Sequence, residues 1–180
     1  MEIIGIIAEY NPFHNGHKYH IDEIKRKYPK SIIVLALNGY FSERGETSLL
    51  TKEDKVKLSL TYGVDIVVEL PALFGTQSAD IFAEASIKLL NNFKVDKVIF
   101  GSESNDVETL EKIARTQLYD EEFDLRVKEA LKDGVNYPTA LAKALDVDFD
   151  FTSIIKIQIS IKCDAGTAYI YVDNLALNLK

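Results

Sequence analysis

Residues 3–8 read Ile-Ile-Gly-Ile-Ile-Ala, apolar at every position rather than at every second one. A strand with one wet face alternates. A strand written like this one is covered on both faces, as in a parallel sheet flanked by helices. Residues 31–37, 65–69 and 97–100 repeat the pattern. Helical patterns fill the intervals. Residues 16–27 put Tyr19, Ile24 and Tyr28 on the expected inner face, and residues 52–62 carry Val56, Leu58 and Leu60 between charges. Residues 78–91 space Ile81, Phe82, Ala85, Leu89 and Leu90 by three and four. Thr51 is the expected N-cap of the second helix, Gly63 ends it, and Asn91 with Asn92 ends the third. Strand and helix alternate with short connections, the signature of right-handed βαβ units. The predicted fold is α/β, a doubly wound parallel sheet of Rossmann-like type.

Beyond residue 101 the pattern changes. Residues 106–118 and 120–133 read as two charged surface helices, and residues 140–145 as a short third helix after Tyr137, Pro138 and Thr139. From Thr152, Ile155, Ile157, Ile159 and Ile161 alternate with Lys156, Gln158, Ser160 and Lys162. Residues 167–172 form a second β-like run after Cys163-Asp164-Ala165-Gly166, so the literal reading is a β-hairpin with one apolar face. The expected division is a nucleotide-binding domain over 1–150 and a divergent tail over 151–180. Two readings of the tail stay open: a shifted reading frame or degenerate gene end, and an edge strand pair able to meet another chain. The sequence does not fix the oligomeric state.

Composition narrows the partners. A net charge of −7 and a pI near 5.0 argue against a chain that grips nucleic acid unaided, because phosphate neutralisation needs clustered Lys and Arg. Cys163 is the single cysteine, which excludes an internal disulfide and a Cys-based metal cluster. No apolar run approaches the roughly 18 residues of a membrane span, and the N-terminus lacks a basic leader. A cytoplasmic protein is expected.

All three histidines, His14, His17 and His20, fall within seven residues directly after the first strand. A strand-to-helix turn is where open α/β sheets hold nucleotide phosphates. Gly16 permits close backbone approach. The first N–H groups of the following helix, and the imidazoles of His14 and His17, are candidate donors to oxygens that gain charge as pyrophosphate leaves. Lys18 can add a point charge. If imidazolium forms aid that departure, activity falls as pH rises past their pKa. No protein metal site is expected from this spacing, and Mg2+ would arrive with ATP. A second cluster, residues 38–46, leaves the C-terminal end of the second strand. There Arg44 is a fork for phosphate or carboxylate, and Glu46 is a candidate either to orient it or to bind metal-linked water. Gly101, after the fourth strand, would let adenine or ribose approach the backbone, or serves only to end the strand. Gln77, Ser78 and Asp80 open a helix near the same rim, where capping explains them as well as binding does.

The string Gly5-Ile6-Ile7-Ala8-Glu9-Tyr10-Asn11-Pro12-Phe13-His14-Asn15-Gly16-His17 resembles the bacterial tRNA(Met) cytidine acetate ligase family, within the His-x-Gly-His nucleotidyltransferases of class I synthetase type. The likeness continues in Arg44-Gly45-Glu46, Gly63-Val64-Asp65, Glu69-Leu70-Pro71, Gln77-Ser78-Ala79 and Val98-Ile99-Phe100-Gly101, and reaches about residue 147. Glu43 stands where the family pattern has Gln. The resemblance implies a ligase that uses ATP and acetate to form acetyl-adenylate, then passes acetyl to N4 of the wobble cytidine of elongator tRNA(Met). It implies an ATP loop made of Ile7, Ala8, Glu9, Tyr10, Asn11, Pro12, Phe13, His14, Asn15, Gly16, His17, Lys18, Tyr19 and His20, with Gly101 against the nucleotide. His14 and His17 would hold the triphosphate, and Arg44 an anionic ligand. Two alternatives stand beside it: an adenylyltransferase acting on a small phosphate-bearing acceptor, and a non-catalytic nucleotide-binding remnant.

Overall fold

The computed structural model describes residues 1–102, 107–145 and 169–174, which fall into two compact units. The first unit contains strand β1 (Ile3–Ala8), helix α1 (Asn15–Lys27), β2 (Ile32–Asn38), α2 (Lys52–Thr61), β3 (Ile66–Leu70), α3 (Ala72–Gly75), α4 (Ala79–Asn92) and β4 (Lys97–Ser102). After a second unit of three helices, α5 (Val107–Tyr119), α6 (Phe123–Lys132) and α7 (Tyr137–Leu145), the chain returns to the first as β5 (Tyr169–Asn174).

All strands run parallel in the order β3-β2-β1-β4-β5. The order reverses between β1 and β4, so β1 is the strand from which the sheet is wound both ways. β1 pairs with β2 along its whole length, from Ile3 opposite Ile32 to Ala8 opposite Leu37. With β4 it pairs only at Ile4 opposite Lys97 and Gly5 opposite Val98. From Ile6 onward the pairing between the two strands stops, and this unpaired seam at the C-terminal rim of the switch point is the expected crevice, the usual ligand position in such sheets.

Both faces are covered. On one, Ile4, Ile6, Ile33, Leu35 and Leu37 pack with Ile21 and Ile24 of α1; on the other, Val34 and Ala36 meet Leu90 of α4. Gly5 makes the second contact possible: a Cβ there would sit 2.9 Å from both Leu90 Cδ1 and Val95 Cγ1. One device starts two strands. A positive-φ residue, Gly63 (φ 109°) or Lys94 (φ 56°), turns the chain out of a helix, and a Val-Asp pair follows. The carboxylates then accept from the neighbouring strand: Ile33 N–H donates to Asp65 at 2.8 Å and Ile3 N–H to Asp96 at 2.7 Å.

Each of the four strands foreseen in the sequence starts within one residue of its expected place. The inner faces of the helices differ from expectation. In α1 Ile21 and Ile24 are buried, while Tyr19 is exposed. In α2 the buried residues are Lys55 and Ser59, while Val56 and Leu58 are half-buried and Leu60 is exposed. In α4 Ser86 and Leu90 are buried, and Ile81 is exposed. Thr51 caps α2 as expected, its hydroxyl accepting from Asp54 N–H at 3.1 Å. Ser78 occupies the N-cap position of α4 without a side-chain bond.

The second unit is more than a pair of surface helices. Ile113, Phe123, Val127, Ala130, Ala140, Ala144 and Leu145 form a core of their own, and the third helix begins three residues earlier than expected, with Asn136 accepting from Thr139 N–H at 3.0 Å. Of the expected hairpin, the second run is strand β5, paired in parallel with β4 from Lys97 opposite Tyr169 to Ser102 opposite Asn174. The alternating isoleucine run, the intervening turn and Glu103 lie outside the described residues.

Candidate active site

The histidine loop leaves β1 at the crevice. His14 is the N-cap of α1 and His17 its third helical residue, and the two form a reciprocal capping box. Gly16 N–H donates to His14 Nδ1 at 3.1 Å, and His14 N–H donates to His17 Nδ1 at 3.2 Å. A ring nitrogen that accepts must keep its lone pair, so the ring proton of each imidazole belongs on Nε2. The rings stack with centroids 3.7 Å apart. The cap thus orients two N–H donors side by side.

An aromatic bed lies beneath His17: Tyr10 at 4.6 Å and Phe13 at 5.6 Å between centroids, with Phe13 stacked on Tyr62 at 5.1 Å. Burial by this bed, then the nearby His14 and His20, lowers the His17 pKa to about 4. Without a bound anion the His17 ring is therefore neutral at pH 7. The backbone expectation changes. Gly16 N–H is taken by His14, and the N–H groups of His17 and Lys18 donate to His14 O at 3.0 and 3.2 Å. Asn15 N–H remains as the first-turn backbone donor.

The other loop residues sort by what they touch. Ile7 and Ala8 pack half-buried at the end of β1. Glu9 turns toward the second loop. Its carboxylate accepts from Asn38 Nδ2 at 2.8 Å and from Glu43 N–H. Tyr10, at φ 48°, is buried, and burial pushes its phenol pKa up. Asn11 accepts from Leu49 N–H at 2.7 Å, Pro12 is exposed behind a cis peptide, and Asn15 is exposed. Lys18 pairs with Asp22 one turn along the helix. Tyr19 is exposed and His20 half-buried. Gly101 is exposed near the end of β4.

The second loop is tightly folded. Phe41 and Thr47 form an antiparallel bridge, Ser48 N–H donates to Tyr40 O at 2.8 Å, and Gly45 N–H closes a turn on Ser42 O at 2.9 Å. Arg44 stands at that turn, exposed, and no hydrogen bond or ion pair joins it to Glu46 or to any other described residue. Glu46 is thus not its orienting partner. The base of the loop is fixed instead by the Tyr40 hydroxyl, which donates to Glu53 at 2.9 Å, and by Lys52, which reaches Glu69 at 2.9 Å.

Lys55, absent from the sequence expectations, is fully buried beside this site. Its ammonium donates to Glu9 O at 3.2 Å and Ser48 Oγ at 3.1 Å, and burial lowers its pKa. Only the inversion of polarity on α2, with lysines at positions 52, 55 and 57, hinted at it. Among the described residues, no group of three or more His, Cys, Asp or Glu side chains is arranged to hold a metal ion.

A family model described as HIGH Nucleotidyl Transferase matches residues 1–162. The chain belongs to this family. The match to the HIGH nucleotidyl transferases runs past residue 147, where the sequence motifs stop. The chain is 48% identical over 143 residues to the tRNA(Met) cytidine acetate ligase of Fusobacterium nucleatum, covering 79% of this chain and 36% of that protein. It is 39% identical over 165 residues to the ligase of the same name from Caldicellulosiruptor saccharolyticus, covering 88% and 41%. The crystal structure of Thermotoga maritima TmcAL bound with alpha-thio ATP superposes with a TM-score of 0.73 at 38% identity, over 80% of this chain and 35% of that one. The chain thus spans well under half the length of these relatives.

Proposed function

We propose that this chain is the nucleotide-binding, acetate-activating part of a tRNA(Met) cytidine acetate ligase. In the first step an acetate oxygen attacks the α-phosphorus of ATP, the bond from that phosphorus to the bridging oxygen breaks, and pyrophosphate leaves. In the second, N4 of the wobble cytidine attacks the acetyl carbon, losing a proton, and AMP leaves. The observation that carries the reading is the capping box, which engages both Nδ1 atoms and so leaves two Nε2–H donors at the start of α1, the helix that follows the switch-point strand β1. Donors fixed before the reaction stabilise charge as it develops on the departing pyrophosphate, without the cost of reorienting solvent. Asn15 N–H and the helix dipole add to the same field.

Arg44 gives the crevice an unpaired cation for a carboxylate or phosphate, and Gly101 gives the nucleotide an open backbone edge. Mg2+ would accompany ATP, with oxygens of the phosphates as ligands. The 48% identity to a tRNA(Met) cytidine acetate ligase supports the choice of acetate and tRNA over other acceptors.

The test is exchange of radiolabelled pyrophosphate into ATP, with and without acetate, for the wild-type chain and His17→Ala. Exchange that requires acetate and collapses in the variant is the expected result. Adenylate transfer to a small phosphate-bearing acceptor without acetate would replace the reading with an adenylyltransferase. ATP binding without any exchange would replace it with a non-catalytic nucleotide-binding domain.

A further inference from the structure

Lys55 is the only fully buried charged side chain among the described residues. An ammonium taken out of water costs several kcal/mol unless well compensated. Here both hydrogen-bond partners are neutral oxygens, Glu9 O at 3.2 Å and Ser48 Oγ at 3.1 Å, and the carboxylates of Glu9 and Glu69 offset only part of the burial cost. An apolar side chain of similar length would serve the core of α2 at least as well, so packing alone does not account for the lysine. Its two partners do. Glu9 lies between β1 and the imidazole pair, and Ser48 lies in the loop that carries Arg44.

Three further bonds run between the same two loops. Asn38 Nδ2 donates to the Glu9 carboxylate at 2.8 Å, Glu43 N–H donates to the same oxygen, and Leu49 N–H donates to Asn11 Oδ1 at 2.7 Å. Glu43 immediately precedes Arg44 in sequence, so its N–H is a direct handle on the arginine's turn. Glu9 is held at both ends, its carbonyl by Lys55 and its carboxylate by Asn38 and Glu43.

We propose that Lys55 is a positioning residue that locks the Arg44 loop to the histidine loop through Glu9 and Ser48, so that the guanidinium and the two imidazoles face one ligand. The lock itself is read without any ligand; its effect on affinity rests on the proposed ATP site.

Two measurements on the full chain test this. The first is hydrogen exchange at the Glu43 and Leu49 amides without ligand. Lys55→Met should speed both by about tenfold or more and leave the amides of β2 unchanged, whereas Lys55→Arg, which can still reach both oxygens, should restore them. The second is ATP affinity by calorimetry in a double-mutant cycle. Lys55→Met should weaken binding about tenfold in the wild-type background but less than about twofold in Arg44→Ala, because the arginine it positions is already gone. Unchanged exchange in a folded Lys55→Met protein, or losses that simply add, overturns the proposal. If Lys55→Met does not fold, Ser48→Ala removes one of the two acceptors and carries the same comparison. A wild-type chain that fails to bind ATP defeats the proposed function, while the exchange rates still decide the lock.

Discussion

Acidification should weaken this fold through His17, and the amount follows from the burial of its ring. The ring has a pKa of about 4 in the fold against 6.5 for a free histidine. Because the folded value is the lower one, the unfolded chain takes up its proton first as pH falls. The contribution of the neutral ring is therefore complete above pH 6.5 and is lost as pH drops through about 4. The full difference corresponds to at most about 3 kcal/mol, and because the ring keeps some solvent contact the expected loss is about 1–2 kcal/mol. Protonation also places a hydrogen on Nδ1, which can then no longer accept from His14 N–H, so the first turn of α1 frays. The assay is urea unfolding of the wild type and of His17→Asn, which does not titrate, between about pH 7 and about pH 4. The stability gap between them should change by about 1–2 kcal/mol over that range, with the wild type losing more. A constant gap, or a ring titration near the ordinary histidine value by NMR, would refute the reasoning.

Two further outcomes are expected. Gly5→Ala should cost about 1–3 kcal/mol in urea unfolding, because the new methyl lies 2.9 Å from Leu90 and Val95 on a face with no slack; a loss below about 0.5 kcal/mol would mean α4 shifts freely. Arg44→Ala should leave stability within about 0.5 kcal/mol, since the side chain is exposed and unbonded, yet raise the KM for an anionic substrate in pyrophosphate exchange; an unchanged KM would remove Arg44 from the site.

The sheet was legible in the sequence because burial on both faces leaves unbroken apolar runs, and Ile3–Ala8 and Ile32–Asn38 are such runs. The histidine loop was legible because its cap, its donors and its strand are neighbours along the chain. What escaped depended on distance or on broken periodicity. Helix α3 has four residues after Pro71, too few to show a period. The inner face of α2 is Lys55 and Ser59, polar residues that invert the amphipathic pattern, so the exposed Leu60 invited the wrong face. Glu9 has partners 29 and 34 residues away, a relation no local pattern encodes. The direction of the His17 shift was hidden for the same reason. It depends on the bed of Tyr10, Phe13 and Tyr62, and Tyr62 comes from the end of α2.

The early parting of β1 from β4 has a thermodynamic meaning. Ile6, Ile7 and Ala8 keep their partners in β2 but have none in β4, so the crevice is a stretch of sheet left unzipped. Each ladder bond forgone gives up about 0.5–1.5 kcal/mol. The fold thus holds in reserve, at Ile7 and Ala8, half-buried backbone groups that β4 does not claim and a bound molecule can. A substitution that let β4 close onto Ile6 and Ile7 would make a sturdier protein with nowhere to bind, so stability selected in the laboratory at this seam should come at the expense of occupancy.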